Sequence, residues 1–236
     1  MTGLLVSVRN AGEAQAALAG GADIVDVKEP RAGSLGAAPV ATWQEVAEVV
    51  STQALLSIAL GELTDFDPVL GNSLPGNTYY AKIGLAGCAE RSDWPVRWQE
   101  AWKSLPSDVQ RVAVCYVDHQ QARSPGWELI LQQAPAAGCK CLLLDTFDKS
   151  AGDLFTHWSV AHLRHVVARA TELELLVVAA GSIGEADLER LEEAGVGCLA
   201  VRGAVCRPNR SGHLQEGLVR RLRAACGVAG AFISTG

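Results

Sequence analysis

Short apolar runs and amphipathic segments alternate eight times along this chain, and that alternation limits its fold more than any other feature. A short apolar run bounded by turn residues is a buried strand; an apolar stripe at helical spacing is a helix lying against it. Leu4–Val8, Ile24–Lys28, Ala54–Leu60, Tyr79–Leu85, Gln110–Val117, Cys141–Asp145, Leu175–Ala180 and Cys198–Arg202 read as strands. Asn10–Ala19, Val40–Ser51, Pro95–Leu105, Trp127–Ala137, Trp158–Glu172, Glu185–Ala194 and Leu214–Cys226 read as helices. Gly61–Asn77 is the least regular stretch, with room for one short helix. Eight such units in 236 residues predict an α/β protein with one domain, a (β/α)8 TIM barrel over residues 1–226, followed by a loosely held tail at 227–236. An open doubly wound sheet is the weaker alternative, because the first strand runs into Ser7-Val8-Arg9-Asn10 and not into a GxGxxG turn.

Composition narrows the partners. With 49% hydrophobic and 19% charged residues the chain carries a large core, and disorder is not expected. A net charge of −6 and the lack of any basic run argue against nucleic acid. No stretch approaches the ~20 apolar residues of a membrane span, and Met1–Arg9 is too short for a signal peptide. Seven cysteines, an odd number with no CxxC pair, fit reduced thiols in the cytoplasm better than a disulfide framework. No ligand spacing completes a metal site and no dinucleotide fingerprint is present, so neither metal nor organic cofactor is expected. His162 and His165 read as surface histidines; His157, just after the Asp145–Lys149 loop, is the one to watch. Trp94, Trp98 and Trp102 form one helical stripe, either a buried seam or a contact between subunits of a homo-oligomer.

Only five of the 20 basic residues are lysines, and their positions are informative. Strands of a parallel barrel are buried on both faces, so a charge within one needs a reason. In Asp23-Ile24-Val25-Asp26-Val27-Lys28 the period of two puts Val25 and Val27 toward the helices, and Asp26 and Lys28 into the barrel mouth. In Tyr80-Ala81-Lys82-Ile83 the same rule turns Lys82 inward. Asp145 ends the sixth strand on the inner side, and Lys149 follows in the loop. Asp118, closing the fifth strand, is a further candidate for this cluster. One lysine–aspartate pair, Asp26 with Lys82 or Asp145 with Lys28, would pass for a core salt bridge. Three lysines and two aspartates at the end where barrels keep their active sites point to chemistry, because burying that many ions costs several kcal/mol each. Neighbouring cations and partial burial favour a neutral amine, the form that makes imines.

Two glycine–serine loops belong to the same face: Glu29–Gly36 with Ser34, and Ala180-Gly181-Ser182-Ile183 running into a helix. With Arg202-Gly203 at the end of the eighth strand, the latter forms the usual phosphate seat of a barrel. A small phosphorylated aldehyde is the expected substrate. Lysine geometry alone leaves open a class I aldolase, another sugar-phosphate lyase, or a non-catalytic sensor of phosphorylated ligands.

Asp26–Ala37 (DVKEPRAGSLGA), Tyr79–Gly87 (YYAKIGLAG), Leu142–Phe155 (LLLDTFDKSAGDLF), Ala179–Ile183 (AAGSI) and Ala200–Cys206 (AVRGAVC) resemble, in order, the (5-formylfuran-3-yl)methyl phosphate synthase family. This family is also called 4-(hydroxymethyl)-2-furancarboxaldehyde-phosphate synthase. The resemblance runs from Leu4 to about Cys226; Gly61–Asn77 and His119–Gly126 depart from the family pattern, and the end of the chain looks like an addition. It implies a barrel lyase that condenses two glyceraldehyde 3-phosphate molecules into a furan aldehyde phosphate for a methanofuran-type one-carbon carrier. It further implies that Lys28 forms the Schiff base, that Lys82 accepts a proton, and that Asp145 and Lys149 are polar active-site groups.

Overall fold

The computed structural model describes residues 3–227, so the tail expected at 227–236 lies, Gly227 apart, outside the described residues. Eight parallel strands close on themselves: β1 (Gly3–Val8), β2 (Ile24–Val27), β3 (Leu55–Glu62), β4 (Thr78–Gly84), β5 (Gln110–Tyr116), β6 (Cys139–Asp145), β7 (Leu176–Ala179) and β8 (Cys198–Val201). The last closes onto the first, with Gly3 opposite Cys198 and Val6 opposite Val201. The open-sheet alternative is thereby ruled out.

Helices α1 (Ala11–Ala19), α2 (Val40–Val50), α3 (Trp94–Lys103), α4 (His119–Ala122), α5 (Trp127–Gln133), α6 (Leu154–His157), α7 (Val160–Glu172) and α8 (Leu188–Glu193) lie in the crossovers, and α9 (Glu216–Ala225) follows the last barrel strand. Local chemistry sets several boundaries. Asn10 accepts the Glu13 amide and starts α1, and Ser159 does the same for α7 through His162. The helix α5 stops at Gln133, short of the expected Ala137: Ala134 keeps helical backbone and its amide still reaches the Ile130 carbonyl, but Pro135 has no N–H to continue the ladder. The irregular stretch after β3 holds a single 3-10 turn, Pro68–Ser73. A small hairpin, β9 (Cys206–Arg207) with β10 (His213–Leu214), precedes α9 and was not expected from the sequence. Its paired segments are only two residues each, too short to carry a period.

The core has two layers, as the period of two dictates. Val25, Val27, Ala81, Ile83, Leu142 and Leu144 pack between sheet and helices. Leu5, Ile24, Tyr80, Val112, Cys141, Leu143, Val178 and Cys198 fill the barrel. One layer nearer the strand ends, the interior turns polar: Ser7, Asp26 and Ser57 sit side by side in register on β1, β2 and β3. The tryptophan stripe of α3 is a buried seam, with Trp98 and Trp102 fully enclosed and their rings about 6 Å apart (6.0 Å). Among the described residues no helix is long and apolar enough to cross a membrane. Removing the Trp98 ring should cost about 3–5 kcal/mol, the usual range for an aromatic truncated in a core. The exposed change Val96→Ser on the same helix should stay within about 0.5 kcal/mol. Urea unfolding of Trp98→Ala and Val96→Ser checks both; equal losses would contradict the seam.

Candidate active site

Asp26 is fully buried, yet every partner it needs is supplied by the register. Ser7 on β1 donates to its Oδ2 at 3.0 Å, and Ser57 on β3 donates to Oδ1 at 2.9 Å. From β4, the Lys82 ammonium closes the set at 2.6 Å. The Asp26–Lys82 pair is thus the core salt bridge that the sequence allowed for, built into a polar layer. Asp145, at the end of β6, pairs with Lys149 from the following loop and not with Lys28. Lys149 also donates to the Thr146 hydroxyl at 3.0 Å. The loop itself is fixed by Asp118, whose two carboxylate oxygens accept the Phe147 and Asp148 amides at 2.7 and 2.8 Å. Asp118 therefore buttresses the cluster from behind.

Lys28 is different. Its amide continues the β1–β2 ladder to the Val8 carbonyl at 3.1 Å, and its side chain is 8% exposed. Among the described residues its ammonium makes no ion pair and no hydrogen bond. Burial pushes it down to about 8; the Asp145 and Asp26 carboxylates push back, while Lys149 and Lys82 add to the fall. At pH 7 roughly a tenth of such an amine is neutral, against a few parts in ten thousand for an unperturbed lysine. Burial alone would raise Asp145, but the Lys149 and Lys28 cations, with hydrogen bonds from Lys149 and Ser34, hold it below the usual carboxylate range. An amine of lowered pKa thus stands beside the Asp145 carboxylate, whose own is held down, the arrangement that imine formation and proton transfer require.

Asp26, Lys28, Lys82, Asp145 and Lys149 line one cavity of about 300 Å³, whose other wall is the loops after β7 and β8 with Gly181, Ser182, Arg202 and Gly203. Gly181 (φ 96°) and Ser182 (φ 60°) both take left-handed backbone, and a Cβ on Gly181 would press on Thr146 at 3.1 Å. Among the described residues the Ser182 and Ile183 amides have no partner in the chain, and Gly203 opens a 3-10 turn whose first amides are free. These groups can receive an anion.

Two residues expected to touch substrate are engaged by the protein instead. The Ser34 hydroxyl is directed at Asp145 Oδ2 (3.0 Å) and the Thr146 carbonyl (2.9 Å), so it holds the Asp145 side of the site. The Arg202 guanidinium is buried on Glu13 at 2.8 Å and on the carbonyls of Ser7 (2.9 Å) and Arg210 (2.7 Å). Those pairings span almost the whole chain, which no local pattern announces. The sequence reading also missed Arg210, a half-buried arginine in the wall of the cavity, and Glu62 at the end of β3. Burial raises the Glu62 carboxyl although the Tyr116 hydroxyl and the Ala86 amide both donate to it. Glu62 became visible only because β3 runs two residues past its apolar run to pair with Gly84. Among the described residues no group of three His, Cys, Asp or Glu side chains is placed to hold a metal.

The model of the 4-HFC-P synthase family matches residues 4–223. The chain belongs to the 4-HFC-P synthase family. Relatives named (5-formylfuran-3-yl)methyl phosphate synthase bear this out: 33% identity to the Methanococcus maripaludis protein over 94% of this chain and 98% of that one. The Methanocaldococcus jannaschii protein is 31% identical over 94% and 99%, and the Archaeoglobus fulgidus protein 32% over 94% and 98%. In shape the chain is similar to phosphoribosyl anthranilate isomerase from Thermotoga maritima (TM-score 0.68, 12% identity, covering 96% of this chain and 98% of that one). It is also similar to thiamine phosphate pyrophosphorylase from Pyrococcus furiosus (TM-score 0.64, 16% identity, 95% of each). At those identities the likeness is one of fold.

Two predictions rest on this geometry. Modification of Lys28 by an amine-selective reagent should rise with pH with a midpoint near 8, since the amine is protonated below that value and reactive above it. Peptide mapping across pH 6–11 reads it. Lys82→Met strands the buried Asp26 carboxylate and should cost about 3–5 kcal/mol in urea unfolding. Adding Asp26→Asn removes the unpaired charge and should recover part of that loss.

Proposed function

We propose that this chain condenses two molecules of glyceraldehyde 3-phosphate into (5-formylfuran-3-yl)methyl phosphate, with release of one phosphate and two waters, as a lysine Schiff-base lyase. The product would supply the furan of a methanofuran-type one-carbon carrier. The observation that carries the reading is the unpaired, buried Lys28 amine between two lysines that already have carboxylate partners. Family membership and the names of the relatives support the product.

Lys28 attacks the aldehyde carbon, and loss of water gives an imine whose adjacent C–H is acidified. Lys82 accepts that proton after passing its own to the Asp26 carboxylate at 2.6 Å, so the pair as a whole takes up one proton. Asp145, kept ionised by Lys149, is the second site for proton movement during dehydration and ring closure. The amides of Ser182 and Gly203 hold a substrate phosphate, with Gly181 giving the backbone its close approach. Ser34 and Arg202 position this machinery, the one through Asp145 and the other through the carbonyls around the mouth. The imine supplies the electron sink, so no cofactor enters the scheme. The described cysteines are all free and buried, which suits a reducing cytoplasm.

The test is incubation of the purified protein with glyceraldehyde 3-phosphate alone. Ultraviolet absorbance of a furan aldehyde should grow with one phosphate released per furan, and Lys28→Arg should abolish it, because a guanidinium stays protonated. Triose consumption without furan would replace this reading with another aldolase activity. Full turnover by Lys28→Arg would make the lysine electrostatic scaffolding.

A further inference from the structure

The loop between β9 and β10 is held by its backbone and leaves one cation unused. Glu13, buried on α1, binds two arginines, Arg202 at 2.8 Å and Arg9 at 2.7 Å. Both reach on to the loop: Arg202 Nε donates to the Arg210 carbonyl at 2.7 Å, and Arg9 donates to the Ser211 and Gly212 carbonyls at 2.9 and 3.0 Å. Fixed in this way, the loop carries the half-buried side chain of Arg210, which among the described residues has no hydrogen bond and no ion pair. Sequence position alone gives no sign of this, since the clamp joins residues about two hundred apart (202 and 203 positions).

Arg210 lines two cavities. One is the site of Lys28, Lys82 and Lys149. The other, about 400 Å³, opens beside it at the rim and is built from the loops after β2 and β6, with Gly33, Ser34, Phe147 and Ser150. Lys149 and Arg210 stand in the walls of both. Asp148 also lines the rim cavity, but its Oδ1 is occupied by the Ser150 amide and hydroxyl at 2.9 and 2.6 Å. The loops after β7 and β8 line the first cavity, and of them the rim cavity has only Arg210, so it shares the two cations and lacks that backbone seat. Asp145 is the carboxylate that acts on Arg210 from a distance, and a guanidinium with no direct ion pair offers a planar fork that matches two oxygens of a phosphate.

We propose that the rim cavity is a second anion seat, in which Arg210 grips the phosphate of a second small phosphorylated molecule while the first is held beside Lys28. That the occupant is a second aldehyde for condensation rests on the function proposed above; the seat itself rests on the unpaired arginine and the paired cavities. The probe is glycerol 3-phosphate, which has no carbonyl and forms no imine. Calorimetry on the unmodified protein should count two equivalents, and on Arg210→Gln one, the other weakened at least tenfold. Furan formation by Arg210→Gln should need at least tenfold more substrate, Arg210→Lys should recover part of it, and borohydride capture of the first substrate at Lys28 should be unchanged. One equivalent on the wild-type protein, two unaltered equivalents on the variant, or a parallel loss of capture would each overturn the second seat. Two equivalents falling to one with no furan formed by the wild-type protein would leave the seat standing and remove the condensation.

Discussion

Three buried or nearly buried ammonium groups and two buried carboxylates meet at one end of the barrel, and their pairing leaves one lysine over. Lys82 takes Asp26 and Lys149 takes Asp145, so Lys28 keeps the burial without a direct counter-ion. Desolvation penalises its charged form, and the two neighbouring ammonium groups add to the penalty. A second carboxylate bound directly to Lys28 would restore the charge and silence the amine. The chemistry available at this mouth therefore depends on which lysines are satisfied as much as on how many are present.

That pairing is a consequence of strand register. Ser7, Asp26 and Ser57 lie at one level of three neighbouring strands, so two hydroxyls turn toward the carboxylate between them and leave it one place for a cation. Asp145 is fixed by Ser34 from the loop after β2, and its loop is tied down by Asp118 from the end of β5. Around the outside of the mouth, Glu13 gathers Arg9 and Arg202 onto the carbonyls of the last hairpin. These buried polar side chains are paired because an unpaired one in this layer would cost more than its pair contributes. Among the described side chains Lys28 and Arg210 are the exceptions, and the proposed chemistry uses both.

Much of this was legible in the sequence because it follows from a period of two. The alternation of strand and helix gave the barrel, and the parity of Asp26, Lys28 and Lys82 put them on its inner face. The order of family-like segments agrees with the family match. What could not be read is contact between distant residues. Arg202 looked like a phosphate ligand from its place after β8, yet Glu13, 189 positions away, already holds it. Ser34 looked like a ligand from its glycine-rich loop, yet it reaches Asp145 across 111 positions. Arg210 lies in a two-residue-stranded hairpin with no periodic signal, and Glu62 lies just beyond an apolar run that appeared to end at Leu60. Parity tells which way a strand residue points and says nothing of what meets it there.

Covalent capture tests the central asymmetry most directly. Wild-type protein is mixed with glyceraldehyde 3-phosphate, reduced with borohydride at pH 8, digested, and the mass added to each of the five lysines is mapped. Addition confined to the peptide carrying Lys28 is the result this account predicts, since Lys82 and Lys149 are held by their aspartates. Addition on Lys82 or Lys149, or on none of the five, would contradict it.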